Sequence, residues 1–132
     1  MDQELLVNEQ IDAGLEFLRE FNEYFFVSAA FWINSIDSGA WILYVASSEI
    51  NDDNFDAAYG EVLRLVGTNK NQWLDAFQIK LLKVSDPLVA EVVNIRDQYS
   101  SKNPVRHNGS AIAGRAVRGT LIYPSIAAAS AL

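Results

Sequence analysis

The middle of the chain contains two neighbouring segments that are apolar at almost every position. Residues 25–33 read FFVSAAFWI and residues 40–46 read AWILYVA, and the turn residues 37–39 separate them. Side chains in a strand alternate between two faces, so that Phe31 and Trp32 point in opposite directions. Because both faces are apolar, we predict a β-hairpin at the centre of a sheet. Helices should cover one face and further protein the other, and a second subunit is one source of that protein.

Hydrophobic periodicity on either side of the hairpin predicts three helices. Apolar residues recur at three- and four-residue steps over residues 5–25, as on an amphipathic helix. The cap residues at 51–53 precede a second helical pattern that Gly67 can end. Residues 85–87 read Ser-Asp-Pro, which is typical of a helix start, and this third helix should end near Tyr99.

The remaining apolar residues predict three further strands. Phe77, Ile79 and Leu81 alternate with polar residues after a short helical turn at 72–76. Glycines spaced among apolar residues after Val105 indicate two more short strands. We therefore predict the α+β class: a mixed, mainly antiparallel sheet with helices packed on it, in the order α-β-β-α-β-α-β-β.

The length and composition of the chain set broad limits on its class. The 132 residues suit one domain, and we expect it to span 1–125, with a frayed C-terminal tail over 126–132. There is no cysteine, which excludes disulfides, thiol nucleophiles and cysteine-ligated metal sites. The first ten residues lack the features of a signal peptide, and no apolar stretch is long enough to cross a bilayer. We therefore expect a cytoplasmic protein with no membrane contact.

Charge is divided along the sequence. Residues 1–61 hold thirteen carboxylates and one arginine, whereas residues 62–132 hold four carboxylates and nine cations, within a net charge of −7. No acid follows Asp97. Such a division favours charge matching within the molecule or between subunits. The overall negative charge disfavours nucleic acid as a partner.

Several short motifs lie at intervals between Phe25 and Pro124. They are Ala30-Phe31-Trp32-Ile33, residues 41–47, Ala58-Tyr59, residues 84–89 and Ile122-Tyr123. The set resembles small bacterial proteins of unknown function, with an AFW-type strand, a W-x-L-x-x-AS strand, an S-x-DPLV-like helix start and an AYIY-type closing strand. The resemblance implies the same fold and no activity. Residues 118–121 read RGTL, where the resemblance implies an acidic stretch containing alanine.

Motifs for catalysis or metal binding are incomplete. His107 is the only histidine, which excludes a site built from several histidines. The acids at 52–56 resemble a calcium-binding loop, but Ala57 and Leu63 stand where that loop needs glycine and a bidentate glutamate. Residues 109–116 imitate the glycine spacing of a P-loop without its lysine and hydroxyl. We predict no metal, no cofactor and no enzymatic activity.

Aromatic and basic residues supply the candidates for binding. They are Trp32, Trp41, Tyr44, Arg106, His107, Arg115, Arg118 and Tyr123. The two tryptophans lie on adjacent strands of the hairpin, where they would form a cross-strand pair or an exposed anchor for a partner. Alternation along the last strand points Arg115 and Arg118 to opposite faces, which weakens a concentrated phosphate-binding patch.

The sequence leaves three functions open. We predict a non-enzymatic protein–protein interaction module that self-associates through its sheet as a homodimer. One alternative is a small enzyme or ligand-binding domain with a pocket formed by Tyr44, Arg106, His107 and Tyr123. The other alternative, which the net charge of −7 disfavours, is association with nucleic acid through Lys102, Arg106, Arg115 and Arg118.

Overall fold

The computed structural model describes residues 6–37, 39–69, 72–99 and 102–126. Within these ranges, three α-helices and six strands form the fold, with one short 3-10 helix at Ala76–Gln78. In chain order these are α1 (Asn8–Phe21), β1 (Ala29–Ser35), β2 (Trp41–Ser47), α2 (Phe55–Asn69), β3 (Ile79–Lys83), α3 (Pro87–Tyr99), β4 (Val105–His107), β5 (Ala111–Ile112) and β6 (Arg115–Ile122). The predicted α+β class is confirmed, and the region after α3 contains three strands where the sequence predicted two.

The six strands form one mixed sheet with β1 at its centre. The strand order is β3-β2-β1-β6-β4, and β5 pairs with β6 beyond the end of β4. Only β2 and β3 run parallel; the other pairings are antiparallel. Among the described residues, no helix has the length and apolar character needed to span a membrane.

One face of the sheet is covered by α1 and α2. Strand residues on this face pack in a cluster with both helices. They include Ala30, Trp32, Trp41, Leu43, Val45, Leu121 and Tyr123. The alternation of β1 and β2 is the one that the sequence predicted.

The other face is covered by α3 and β5 of the same chain. Phe31, Ile33 and Tyr44 pack there against Leu88 and Val92 of α3 and against Ile112 and Val117 of the β5–β6 hairpin. The cover that the sequence assigned to further protein therefore comes from within the chain. This face gives no support to a second subunit, and self-association stays a prediction.

Four local expectations differ from the structure. The first helix ends at Phe21 rather than near residue 25, and beyond it the Asn22 Oδ1 accepts a hydrogen bond from the Val27 N–H at 2.8 Å. Gly67 lies inside α2 rather than after it. Phe77 belongs to the 3-10 helix rather than to a strand, and its side chain is 89% exposed. Ile126, which the sequence placed in the frayed tail, is buried in the core, and residues 127–132 lie outside the described residues.

An ion pair between Lys83 and Asp52 joins the two charged halves of the chain. Lys83 Nζ lies 2.9 Å from Asp52 Oδ1, and both side chains are substantially exposed. Arg64 pairs with Glu61 one turn away on α2. Exposed ion pairs of this kind contribute about 0–1 kcal/mol each, so burial of the two apolar faces dominates the stability.

A buried hydrogen-bond relay joins α1 to the sheet. Trp32 Nε1 donates to the Tyr123 hydroxyl at 2.8 Å, and this hydroxyl donates to the Ile11 carbonyl oxygen at 2.7 Å. Gly14 permits the close approach, because a Cβ there would lie 2.4 Å from the Tyr123 hydroxyl. Burial raises the pKa of Tyr123, and the smaller opposing effect of the Trp32 hydrogen bond does not offset it. The relay therefore satisfies the polar atoms of two fully buried aromatic residues.

Replacing Tyr123 with Phe should lower the free energy of unfolding by about 2 kcal/mol, because the Trp32 N–H is left buried without an acceptor. Tyr44→Phe is the matched control, since Tyr44 lies on the opposite face and its ring stacks on Phe31. That control should change the free energy by less than about 0.5 kcal/mol. Urea denaturation measures both variants, and equal losses would contradict the relay.

Candidate functional site

The edge of the sheet at β6 contains a notch. Strand β6 pairs with β4 from Ile122 to Thr120, and it pairs with β5 at Ala116 and Arg115. Between these two stretches the Val117 N–H donates to the Ser110 carbonyl oxygen at 3.0 Å. The chain at 108–109 therefore passes Arg118 and Gly119 without forming registered strand pairs.

An open pocket of about 220 Å³ occupies this notch. Its lining residues come from β2, from β4 and the loop that follows it, and from β6: Trp41, Arg106, His107, Asn108, Arg118, Gly119 and Thr120. Four of the eight residues predicted for binding therefore meet at one pocket.

A β-bulge explains how Arg118 reaches the pocket. The register between β1 and β6 shifts at this point, since Asn34 is paired with Gly119 but Ser35 with Val117. Arg118 is thus the extra residue of β6, and the simple alternation assumed from the sequence does not extend through it. Arg115 lies beyond the bulge, exposed and paired with Ile112, and does not line the pocket.

The pocket is lined by cations and contains no carboxylate among its lining residues. Arg106 donates through one of its terminal nitrogens to the Leu6 carbonyl oxygen at 2.7 Å, which anchors the side chain beside the segment before α1. A guanidinium group carries five N–H donors, so this anchor leaves Arg106 able to donate to a ligand. Arg118 and His107 add further nitrogen donors.

Two polar side-chain atoms around the pocket are buried and have no hydrogen-bond partner in the described part of the chain. Thr120 is 2% exposed, and its Oγ1 has no hydrogen-bond partner among the described residues. The same holds for Nδ1 of His107, the residue directly across from Thr120 on β4. Buried polar atoms are nearly always paired in folded proteins, and unpaired ones concentrate at functional positions.

The Trp41 indole borders the pocket and extends toward β6. Trp41 is paired with Asn34, which is paired on its other side with Gly119. A Cβ at Gly119 would lie 2.9 Å from the Trp41 ring, so the indole extends from β2 over the β1 position to reach β6. The absence of a side chain at Gly119 is what makes room for the ring.

The other predicted binding residues lie elsewhere. Trp32 and Tyr123 are fully buried in the relay with α1, and Tyr44 packs on the opposite face of the sheet. Trp41 is only 7% exposed, so neither hairpin tryptophan is an exposed anchor. The sequence predicted a pocket formed by two tyrosines with Arg106 and His107. Only the two basic residues line the observed pocket.

Sequence reasoning missed Asn34, Asn108, Gly119 and Thr120. Asn34 had one visible signal, because it is an amide within a run of apolar strand residues. Gly119 and Thr120 lie in the RGTL stretch where the sequence departs from the motif that it otherwise resembles. The notch itself arises from the pairing of two separate strands with β6, which has no local signature.

Comparisons of the chain with protein-family models, with curated proteins and with solved structures give no match. The resemblance to small bacterial proteins stays a prediction, and the chemistry of the pocket is the available guide to function.

Replacing Thr120 with Val should raise the free energy of unfolding by about 1 kcal/mol, because it removes a buried hydroxyl that lacks a partner and keeps the shape of the side chain. Ser47→Ala is the matched control. Ser47 is also fully buried, but its Oγ accepts a hydrogen bond from the Glu49 N–H at 3.1 Å, so its loss should destabilise. Thermal denaturation that shows both variants destabilised would mean that Thr120 is satisfied in the free protein.

Proposed function

We propose that this chain is a small, non-enzymatic binding domain whose ligand presents an anionic group to Arg106, Arg118 and His107. The observation that carries the proposal is the convergence of these basic side chains on one pocket that has no lining carboxylate. In a protein with a net charge of −7, a local site of this composition favours negative ligands that the rest of the surface repels.

The size of the pocket supports a small ligand or the terminal group of a larger one. A volume of about 220 Å³ holds a carboxylate or phosphate with a few attached atoms. Arginine suits both groups, because its planar fork donates two parallel hydrogen bonds to an oxyanion. Lys102 and Arg115, which a nucleic-acid surface would need, do not line the pocket.

Binding without chemistry is the simpler proposal for this set of side chains. One imidazole lies beside two arginines, and the lining residues include no carboxylate to orient it as a base. A cytoplasmic location belongs to the same proposal, since a chain without cysteine needs no oxidising compartment.

Replacing Arg118 with Ala should weaken the binding of inorganic phosphate and acetate about tenfold or more, because a charge-assisted hydrogen bond contributes about 1.5–3 kcal/mol. Arg115→Ala is the matched control: it removes the same charge from the same strand outside the pocket and should change affinity by less than about twofold. Isothermal titration calorimetry at low ionic strength measures both.

Two results would reject the proposal. Failure of the unaltered protein to bind either anion is one, and an equal loss in both variants is the other, since this would indicate general electrostatic attraction. Retardation of nucleic acid in a gel that both variants abolish would favour the polymer instead.

A protein partner is a second candidate, favoured by the exposure of Phe77. This residue is 89% exposed and lies two positions before β3, an edge strand of the sheet, and Trp73 nearby in sequence is 38% exposed. The strand edge itself is partly closed, because the Leu81 N–H donates to the Tyr59 hydroxyl at 3.0 Å. Self-association at this edge of the sheet would therefore use the Phe77 side chain rather than added strand pairing.

If Phe77 mediates self-association, light scattering should report a dimer for the unaltered chain and a monomer for Phe77→Ser. Tyr99→Ser is the control, because Tyr99 is an exposed aromatic residue at the end of α3, and this variant should remain a dimer. A monomer at every concentration for the unaltered chain would reject this candidate and leave the anion pocket unaffected.

A further inference from the structure

A buried amide lies beneath the indole that borders the pocket. Asn34 is 0% exposed, and neither Oδ1 nor Nδ2 has a hydrogen-bond partner among the described residues. Its two cross-strand neighbours, Trp41 and Gly119, both line the pocket. Since the Trp41 ring extends from β2 to contact distance of Gly119, it passes over the position that Asn34 occupies between them.

An unpaired amide is unfavourable in this environment. Leaving a buried amide without hydrogen bonds is destabilising, and an apolar residue at the same position would avoid that loss. Neighbouring positions on this face are apolar, as Trp32 and Leu43 show. Asn34 therefore lowers the stability of the free protein at a position one side chain away from a candidate binding pocket.

We propose that Trp41 acts as a lid over Asn34, and that the ligand carries a carboxamide beside its anionic group. This inference rests on the proposed anion pocket. When the anion binds at Arg106 and Arg118, rotation of the indole opens a path from the pocket to Asn34. The ligand amide then pairs with the Asn34 amide.

The chemistry of asparagine determines which neutral group fits. Its side chain offers a carbonyl acceptor and an N–H₂ donor in one plane, and a second carboxamide is complementary to both. An apolar group leaves both of these atoms unpaired. The structure thus assigns the site to small amide-bearing acids rather than to simple anions, and a site of this kind discriminates strongly against ligands that lack the hydrogen-bonding group.

The lid depends on Gly119 as well as on Trp41. A methyl group at Gly119 would lie 2.9 Å from the ring and would displace it from its position in the free protein. Movement of the ring changes the environment of an indole, so that tryptophan emission reports on the lid. Trp41→Phe identifies the contribution of this residue among the three tryptophans.

The test uses pairs of ligands that differ only in the amide. Succinamate and 4-methylpentanoate have the same shape and carboxylate, and glutaramate and 5-methylhexanoate form a pair one methylene longer. Isothermal titration calorimetry on the full chain should give at least about tenfold tighter binding for the amide of the better-fitting pair. Asn34→Leu should remove this preference and keep affinity for the apolar member within about threefold. Emission should change with the amide ligand in the unaltered chain and should not change in Trp41→Phe.

The outcomes separate this inference from the proposed function. If both members of each pair bind the unaltered chain equally, the amide assignment is wrong and the anion pocket stands. If amide binding is preferred but survives in Asn34→Leu, another group recognises it and the role of Asn34 is wrong. If phosphate and every carboxylate fail to bind, the proposed function and the inference both fail. The comparison within the unaltered chain does not depend on how any variant folds.

Discussion

The fold depends on covering both faces of the hairpin formed by β1 and β2. A strand that is apolar on both sides cannot face water on either, so each face needs its own layer of protein. The first layer comes from α1 and α2, and the second from α3 together with the β5–β6 hairpin. Placing β1 between β2 and β6 pairs its backbone on both edges as well. Helices before and after the hairpin, rather than a second subunit, supply the cover.

The same arrangement explains where polar chemistry occurs. Most of β1 and β2 is apolar and well packed, and the relay from Trp32 through Tyr123 to α1 satisfies its polar atoms inside the core. At the end near β6, by contrast, Asn34 and Thr120 are buried with unpaired atoms. Natural proteins tolerate such local cost mainly where function requires it. This contrast between the satisfied and unsatisfied ends of one sheet is why we propose the notch as the functional region.

The sequence predicted the architecture well for elements whose form follows from their own residues. Alternation in β1 and β2, and the Ser-Asp-Pro start of α3, follow from local rules, and the structure agrees with them. The predictions fail for two apolar residues that do not pack in the core. Leu63 is an apolar residue of α2 but is 61% exposed, and Phe77 lies outside the strand whose alternation it continues. The third terminal strand arises from the positive φ angles of Ala113 and Gly114, and alanine gives little sign of such a turn.

The candidate site was predictable only in part. The cations were visible as an excess after Asp97, and Arg106, His107 and Arg118 do meet at one pocket. Their meeting depends on a bulge and on the registers of two strands against β6, neither of which a linear pattern encodes. The roles of Asn34 and Gly119 depend on the Trp41 indole, which extends from β2 toward Gly119, and this contact is visible only in the structure. Local sequence patterns do not show which residues far apart in the chain pair across the sheet.

The central claim is that this chain covers both faces of its own hairpin. Native-state hydrogen exchange tests it most directly, measured for the amides of β1 in samples that light scattering shows to be monomeric. We predict that Phe31 to Ile33 exchange only through global unfolding, with protection that does not change on dilution. Exchange of these amides through local opening in the monomer, with protection that returns as concentration rises, would contradict the account.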